Sequence, residues 1–167
     1  MAEGYTGTLY RALNPRWAAD PLSGEGAAAH GGRFNAKGTA ALYCSLSPLT
    51  ALREANQVGD LQPTVLVGYR AEIARVFDGK NEVALAAFGM SAPGLADPSW
   101  RIAMRDDGEV PTQAFAKRLI AAKYDGLLVP SFARAATAED FNLVLWRWNG
   151  MIELIDDEKR LQQSPPQ

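Results

Sequence analysis

Short apolar runs and loosely alternating positions predict the strands of this chain. Each run is bounded by glycine, proline, asparagine or serine, a pattern typical of strands that face a core. Segment 75–78 either extends the third run or re-enters the sheet. The last two runs are separated by Asn149-Gly150, which favours a tight turn and predicts a hairpin. The predicted strands are 8–13, 40–45, 64–70, 126–130, 142–148 and 151–155.

Capping residues predict helices between these strands. Ser47 is a good N-cap, and Pro48 suits the first helical position because its missing N–H costs nothing there. Asn81 predicts a short helix through 88, and Thr112 predicts a helix through 123. The segments 17–29, 91–99 and 132–140 are predicted to be loops, because glycine, proline and small residues dominate them.

These elements together predict one α+β domain over residues 1–156, with a mixed, mostly antiparallel sheet flanked by helices. The tail at 157–167 is charged and then rich in Gln, Ser and Pro, which predicts a flexible end. Trp146 and Trp148 alternate with Leu145 and Arg147, so both rings are predicted to share one core face. Contact with a partner protein is the alternative for these rings.

The stretch 31–54 brings three polar side chains together on three kinds of local structure. Arg33 follows the glycine pair 31–32, which permits close approaches of the backbone. Tyr43 lies in an apolar strand, and Glu54 lies at the margin of the apolar side of the helix that Ser47 caps. A strand, a turn and a helix form a rigid frame for polar groups. The stretch therefore predicts a site for a ligand that carries both anionic and positively polarised groups.

Composition and charge exclude several classes of protein. The chain has 167 residues, 47% of them hydrophobic, which suits one domain with a substantial core. A net charge of −2 argues against a nucleic-acid partner. One cysteine, Cys44, and one histidine, His30, leave neither an internal disulfide nor a plausible zinc site. We expect no metal, no signal peptide and no membrane span, and hence a cytoplasmic protein.

The sequence matches three known nucleotide-binding or catalytic motifs only in part. The order at 37–39 is Lys-Gly-Thr, whereas a phosphate-binding loop needs Gly-Lys-Ser/Thr. The glycines at 24 and 26 have no preceding strand and no third glycine at the dinucleotide-fold spacing. A Ser-His-Asp triad would have to use His30, and Ser131 has no nucleophile-elbow context.

Seven motifs resemble the RES-domain family, which is named for an arginine, a glutamate and a serine. The resemblance extends from Tyr10 to about Trp148, and its central run is long and specific. Phe34 stands where many members have a tryptophan. The motifs are YRAL at 10–13, SGEGA at 23–27, GGRFN at 31–35, ALYCS at 41–45, SPLTALRE at 47–54, GLLVPS at 126–131 and NLVLW at 142–146.

The resemblance implies a fold similar to diphtheria-toxin-like ADP-ribosyltransferases and NAD⁺ as the substrate, with no permanently bound cofactor. Family members are toxins of bacterial toxin–antitoxin pairs, which implies a cognate antitoxin as partner. Some members hydrolyse or phosphorolyse NAD⁺ and others transfer ADP-ribose to a protein. The acceptor (water, phosphate or a cellular protein) is left open.

The family's residues map onto five positions of this chain. Glu54, Arg33 and Tyr43 are the catalytic candidates, and Arg11, Arg33, Tyr43 and Ser131 are the NAD⁺-binding candidates. No role is assigned to the nearby residues His30, Lys37 and Asn35.

Cleavage of NAD⁺ requires only one carboxylate in the site. Nicotinamide departs as a neutral molecule, so no second carboxyl group is needed to protonate it, unlike in ordinary glycosidases. From residue type alone, the commoner interpretation of Glu54 is an exposed helix glutamate paired with a nearby cation, and that of Tyr43 is ordinary core packing in a strand. The rival interpretations are a non-catalytic nucleotide-binding or protein-interaction module and a metal-dependent nuclease toxin. The acidic charge and the missing ligand cluster argue against the nuclease.

Overall fold

The computed structural model describes residues 2–57 and 59–161. Within these residues, six strands and six short helices form one α+β domain. The α+β class agrees with the prediction, and the helices are more numerous than the sequence predicts. The strands are β1 Glu3–Leu13, β2 Leu42–Ser45, β3 Val65–Asp78, β4 Gly126–Pro130, β5 Phe141–Leu145 and β6 Ile152–Leu154. The helices are α1 Glu25–His30, α2 Pro48–Ala55, α3 Glu82–Ala87, α4 Ala92–Ala96, α5 Trp100–Arg105 and α6 Pro111–Ala121, with a 3₁₀ turn at Pro15–Trp17.

The sheet closes on itself. Its strand order is β1-β2-β5-β4-β3-β6, and β1 also pairs along most of its length with β3. Five strands therefore form a small barrel, and β6 pairs with residues 69–71 of β3 on the edge opposite β1. Among the strand pairs of the described residues, β3–β4 is the one parallel pair. The mostly antiparallel sheet agrees with the prediction, whereas closure was not predicted.

Two apolar clusters cover opposite faces of the barrel wall. Alternate residues of β2 and β5, such as Leu42 and Leu143, belong to the cluster inside the barrel. Phe77, Phe115 and Leu119 belong to the second cluster, which packs the outer face of the sheet against α3, α4 and α6. Because side chains alternate along a strand, the remaining side chains of β2 and β5 point toward the outer face.

Several predicted elements are confirmed. Ser47 accepts a hydrogen bond from the Thr50 N–H at the start of α2, and Asn81 accepts one from the Ala84 N–H at the start of α3. Segment 75–78 extends the third strand, which runs without a break to Asp78. The Thr112 cap is wrong, because α6 begins at Pro111 and Thr112 lies inside its first turn.

Two loop predictions are wrong. Segment 91–99 contains α4, in which Ser91 caps the N-terminus and Leu95 is buried in the outer cluster. Pro93 lies in the first turn of α4, where a proline is compatible with a helix. Segment 17–29 contains most of α1.

The hairpin prediction is also wrong. β5 ends at Leu145 because the backbone N–H groups of Trp146 and Arg147 both donate to the Asp125 carbonyl. The chain then turns at Gly150, whose φ is 76°, and pairs as β6 with β3. The turn was therefore identified correctly but the partner strand was not.

The two tryptophans after β5 lie in different surroundings. Trp146 is buried in the outer cluster, whereas Trp148 packs against the inner cluster and donates its indole N–H to the Leu22 carbonyl. The prediction of one shared face fails because the alternation of a strand stops at Leu145.

The predicted flexible tail lies partly outside the described residues, which end at 161. Within the described part, Leu161 packs against the inner cluster and its N–H donates to Asp156. The boundary at 156 stays a prediction. Among the described residues, no helix has the length and apolar character that a bilayer span requires.

Candidate active site

A cleft of about 370 Å³ lies beside β2 and β5, where α2, the 32–34 segment and the start of α5 approach the barrel. Four of the five predicted site residues line it: Arg11, Arg33, Tyr43 and Glu54. The fifth, Ser131, is buried and contacts the Glu54 carboxylate.

Glu54 presents its carboxylate to the cleft from the last turn of α2. Its Oε1 atom accepts hydrogen bonds from the Ser131 hydroxyl and from the Asn142 amide, the latter at 2.5 Å. Its Oε2 atom accepts a hydrogen bond of 2.8 Å from the Gln57 amide. The Glu54 carboxylate is the acceptor in all three hydrogen bonds, an arrangement that suits an ionised carboxylate.

Ser131 follows β4 directly, and its hydroxyl has two partners. It donates to Glu54 and accepts a hydrogen bond of 3.3 Å from the backbone N–H of Ala133. The backbone N–H of Ser131 in turn donates to the Asp140 carbonyl. Binding of NAD⁺ by Ser131 stays a prediction, and in the free protein its hydroxyl orients Glu54.

An ion pair between a half-buried arginine and a buried aspartate connects α2 to the 131–140 loop. Arg53 donates to both carboxylate oxygens of Asp140 at 2.8 Å, and the Thr50 hydroxyl donates to the same carboxylate at 2.5 Å. The backbone N–H of Thr137 is the main reason that the pKa of Asp140 falls to about 2, with Thr50 next and Arg53 a smaller contributor. Because Arg53 precedes Glu54, this pair holds the helix turn that carries the site carboxylate.

Arg33 contributes the cationic side of the cleft. Its Nη1 atom donates to the carbonyl oxygens of Leu95 and Asp97, each at 2.9 Å, at the C-terminal end of α4. Its guanidinium carbon lies 4.7 Å from the centre of the Phe132 ring, a cation–π distance. Burial lowers the pKa of Arg33, and the charge of Arg101 lowers it further.

Tyr43 exposes its ring to the cleft and uses its hydroxyl inside the protein. The hydroxyl donates to Asn35 Oδ1 at 2.5 Å and accepts from the Phe34 N–H at 3.1 Å. Burial raises the pKa of this phenol. Since both hydrogen-bonding functions of the hydroxyl are occupied, the ring face is the part that Tyr43 offers to a ligand.

Asn35 fixes the loop that carries Arg33. Its side chain is buried, and its Nδ2 atom donates to the carbonyl oxygens of Ala27 and Thr39 at 2.8 and 2.9 Å. A Cβ at Gly32 would lie 2.6 Å from the Tyr43 hydroxyl oxygen, so only glycine fits there without movement. The GGRFN motif thus combines a steric requirement with a buried amide.

Arg11 lies at another wall of the cleft, on β1. Its Nη1 atom donates to the Pro21 carbonyl at 3.0 Å, and the Tyr69 hydroxyl is 3.4 Å away. Tyr69 donates to the same carbonyl. Arg11 also lines a second, smaller cavity of about 300 Å³ beside Arg16 and Trp17.

The family model of the RES domain matches residues 8–161. The chain belongs to the RES-domain family. No curated protein matches this RES domain. A solved structure, described as the M. tuberculosis MbcT–MbcA toxin–antitoxin complex, is similar to it with a TM-score of 0.67 and 21% identity. The alignment covers 93% of this RES domain and 84% of that chain, and at this identity it shows a shared fold.

The structure adds side chains to the site of this RES domain that the sequence analysis did not identify. Asn142, Ser45, Trp100 and Phe132 contact the cleft or its carboxylate. Among the described residues, the buried indole N–H of Trp100 has no hydrogen-bond partner. Asn142 belongs to the NLVLW motif, so a polar residue at the start of an apolar strand was the available signal.

Two of the residues left without a role lie outside the cleft lining. His30, at the end of α1, and Lys37 are both exposed. Across the described part of the chain, no group of three or more His, Cys, Asp or Glu side chains is arranged to hold a metal ion.

Proposed function

We propose that this RES domain consumes NAD⁺ by cleaving the bond between nicotinamide and ribose and transferring ADP-ribose to an acceptor. One observation carries the proposal. A single carboxylate, Glu54, is held by Ser131 and Asn142 in a cleft that Arg11 and Arg33 also line. A carboxylate for a developing cation, together with guanidinium groups for a diphosphate, matches the charge distribution of NAD⁺.

The proposed reaction requires little proton transfer. When the bond from ribose C1′ to the nicotinamide nitrogen breaks, its electron pair neutralises the pyridinium, and nicotinamide leaves uncharged. Positive charge grows on the ribose, where the Glu54 carboxylate stabilises it electrostatically. A lone pair of the acceptor then forms the new bond to C1′, and a protic acceptor such as water loses its proton.

Arginines suit the diphosphate because guanidinium groups match phosphate oxygens in geometry and charge. Arg33 is already oriented by two backbone carbonyls and by the Phe132 ring. The exposed ring of Tyr43 offers a stacking surface to the nicotinamide or the ribose edge.

The biological role that we propose is that of a toxin held inactive by a cognate antitoxin. Membership of the RES-domain family and the similarity to a structure described as a toxin–antitoxin complex support it. An antitoxin would act most directly by covering the mouth of the cleft. For a protein acceptor, the exposed surfaces near the cleft are α4 and the 132–140 loop.

Nicotinamide release from NAD⁺, followed by NMR with and without phosphate and with and without EDTA, tests the proposal. Glu54→Gln is compared with Glu72→Gln, a control at an exposed glutamate of β3. We expect Glu54→Gln to lower kcat by about 10²–10³-fold because a transition-state stabiliser is lost. We expect the control and EDTA to leave the rate unchanged.

The product distinguishes the acceptors. Free ADP-ribose indicates water as the acceptor, and ADP-ribose phosphorylated at the same ribose carbon (position 1″ in ADP-ribose) indicates phosphate. If NAD⁺ stays intact, labelled NAD⁺ and cell lysate test for a protein acceptor. If calorimetry shows saturable binding of NAD⁺ and none of these assays shows turnover, the protein is a binding module and not an enzyme.

A further inference from the structure

We propose that Asn142 is a positioning residue that sets the orientation of the Glu54 carboxylate. The proposal rests on the proposed function for its kinetic test, and on the hydrogen bonds of this site for its structural test. Asn142 is separated from Glu54 by 88 positions and comes from a different element, β5.

The sheet fixes the backbone of Asn142 from both sides. Asn142 is paired with Ser45 of β2 and with Val129 of β4. A residue between two hydrogen-bonded neighbours in a sheet has little freedom to shift along the strand. Its side chain therefore starts from a position that the barrel determines.

The Glu54 carboxylate determines which end of the Asn142 amide faces it, and Ser45 holds the other end. The Ser45 hydroxyl donates to Asn142 Oδ1 at 2.7 Å, and Asn142 Nδ2 donates to Glu54 Oε1 at 2.5 Å. An amide has one accepting and one donating end. Rotation by half a turn would place the amide oxygen against the carboxylate, which only accepts hydrogen bonds, so the carboxylate favours the observed orientation. The Ser45 hydroxyl, which can donate or accept, then donates to Oδ1 and adds a second contact that holds the amide in this orientation.

The two carboxylate oxygens of Glu54 differ in what holds them. Oε1 accepts from Asn142 and from Ser131, both of which lie on or directly after barrel strands. Oε2 accepts only from Gln57 among the described residues, and Gln57 lies beyond the end of α2. Oε2 is therefore the oxygen that a substrate reaches by displacing one amide, while Oε1 remains attached to the barrel.

The kinetic test compares Asn142→Ala, Asn142→Asp and Ser45→Ala with Asn56→Ala. Asn142→Asp retains the volume and an acceptor for Ser45 but removes the donor to Glu54. Asn56→Ala removes an amide that donates to the Leu52 carbonyl in α2 and that is not among the hydrogen-bond partners of Glu54 in the described residues. Melting temperatures show which variants are folded.

We expect Asn142→Ala to lower kcat roughly 10- to 100-fold, the scale of a small displacement of a reacting group, with KM changed by less than about threefold. Asn142→Asp should lower kcat at least as much, because it places a carboxylate against Glu54. Ser45→Ala should have a smaller effect of the same kind, and Asn56→Ala none. General damage to the fold would not produce this separation of kcat from KM.

Crystal structures of the unliganded wild type and Asn142→Ala provide a test independent of turnover. We expect the Glu54 carboxylate to rotate or to occupy two positions in the variant. An unmoved carboxylate, or a folded Asn142→Ala protein with wild-type kcat, would overturn the proposal. If the wild type releases no nicotinamide with water, phosphate or cell lysate as the source of the acceptor, the proposed function fails, and the position of the carboxylate still decides the inference.

Discussion

Two walls of the cleft are built in different ways. The carboxylate wall consists of Glu54, Ser131 and Asn142, whose mutual hydrogen bonds connect α2 with the ends of β4 and β5. The arginine wall consists of Arg33 and Phe132, and its contacts run to backbone carbonyls at the end of the five-residue helix α4. One wall depends on the register of a barrel, and the other on loops and a short helix.

The difference suggests a division of tasks. A charge-stabilising group must be held closely in place, because small displacements are costly to the rate. Strands with neighbours on both sides supply that rigidity. Groups that bind a flexible diphosphate tolerate adjustment, and loops are the usual place for such groups. Changes in the carboxylate wall should therefore appear in kcat, and changes in the arginine wall in KM.

Arg33→Ala should produce the largest effect on substrate binding. We expect KM for NAD⁺ to rise roughly 10- to 100-fold, because a charge-assisted hydrogen bond contributes about 1.5–3 kcal/mol. The fall in kcat should be smaller. Steady-state kinetics of nicotinamide release measure both, with Arg105→Ala, at an exposed arginine of α5, as the control. An unchanged KM in folded Arg33→Ala protein would remove Arg33 from the binding site.

Asp140→Asn should weaken the attachment of the carboxylate wall and change its response to acid. The folded-state pKa of Asp140 is about 2, below the value of about 3.9 for an unfolded aspartate. The ion therefore contributes stability above about pH 4, and this contribution is lost as the pH falls from about 4 to about 2. The free energy of unfolding of the wild type, measured with urea, should lose this contribution across the pH window. The Asp140→Asn variant should show no corresponding loss.

The matched control is Asp157→Asn, which breaks an exposed ion pair with Arg70. Such surface pairs contribute little to stability. If Asp157→Asn and Asp140→Asn shift the urea midpoint equally at pH 7, the 131–140 loop is not the anchor of α2 that the hydrogen bonds indicate.

Tyr43→Phe should have the smallest effect on turnover. The variant retains the ring that faces the cleft, so we expect less than about a tenfold fall in kcat. It leaves Asn35 Oδ1 and the Phe34 N–H without their partner, which should lower the free energy of unfolding by about 1–2 kcal/mol. Tyr10→Phe, at another cleft tyrosine, is the control in thermal unfolding and in kinetics. A fall in kcat comparable to that of Glu54→Gln would show that the hydroxyl takes part in the reaction.

The local elements of the site could be predicted from the sequence. The Ser47 cap, the strand that carries Tyr43 and the glycine turn before Arg33 each depend on residues a few positions apart. Capping, chain reversal and strand patterning are short-range effects, so they can be inferred without a fold. The same reasoning failed for α4, because a proline and a glycine in a first turn resemble a loop.

The partners of these elements were decided by the tertiary structure. Ser131 and Asn142 lie 77 and 88 positions from the glutamate that they hold. Their meeting depends on the closure of the barrel and on the register between β2, β5 and β4, which packing across the whole domain determines. The sequence alone therefore determined the three candidate groups of the 31–54 stretch and, through its motifs, the family. Only the folded barrel decided which oxygen of Glu54 is held in place and which faces the cleft, because that choice is made by contacts between distant strands.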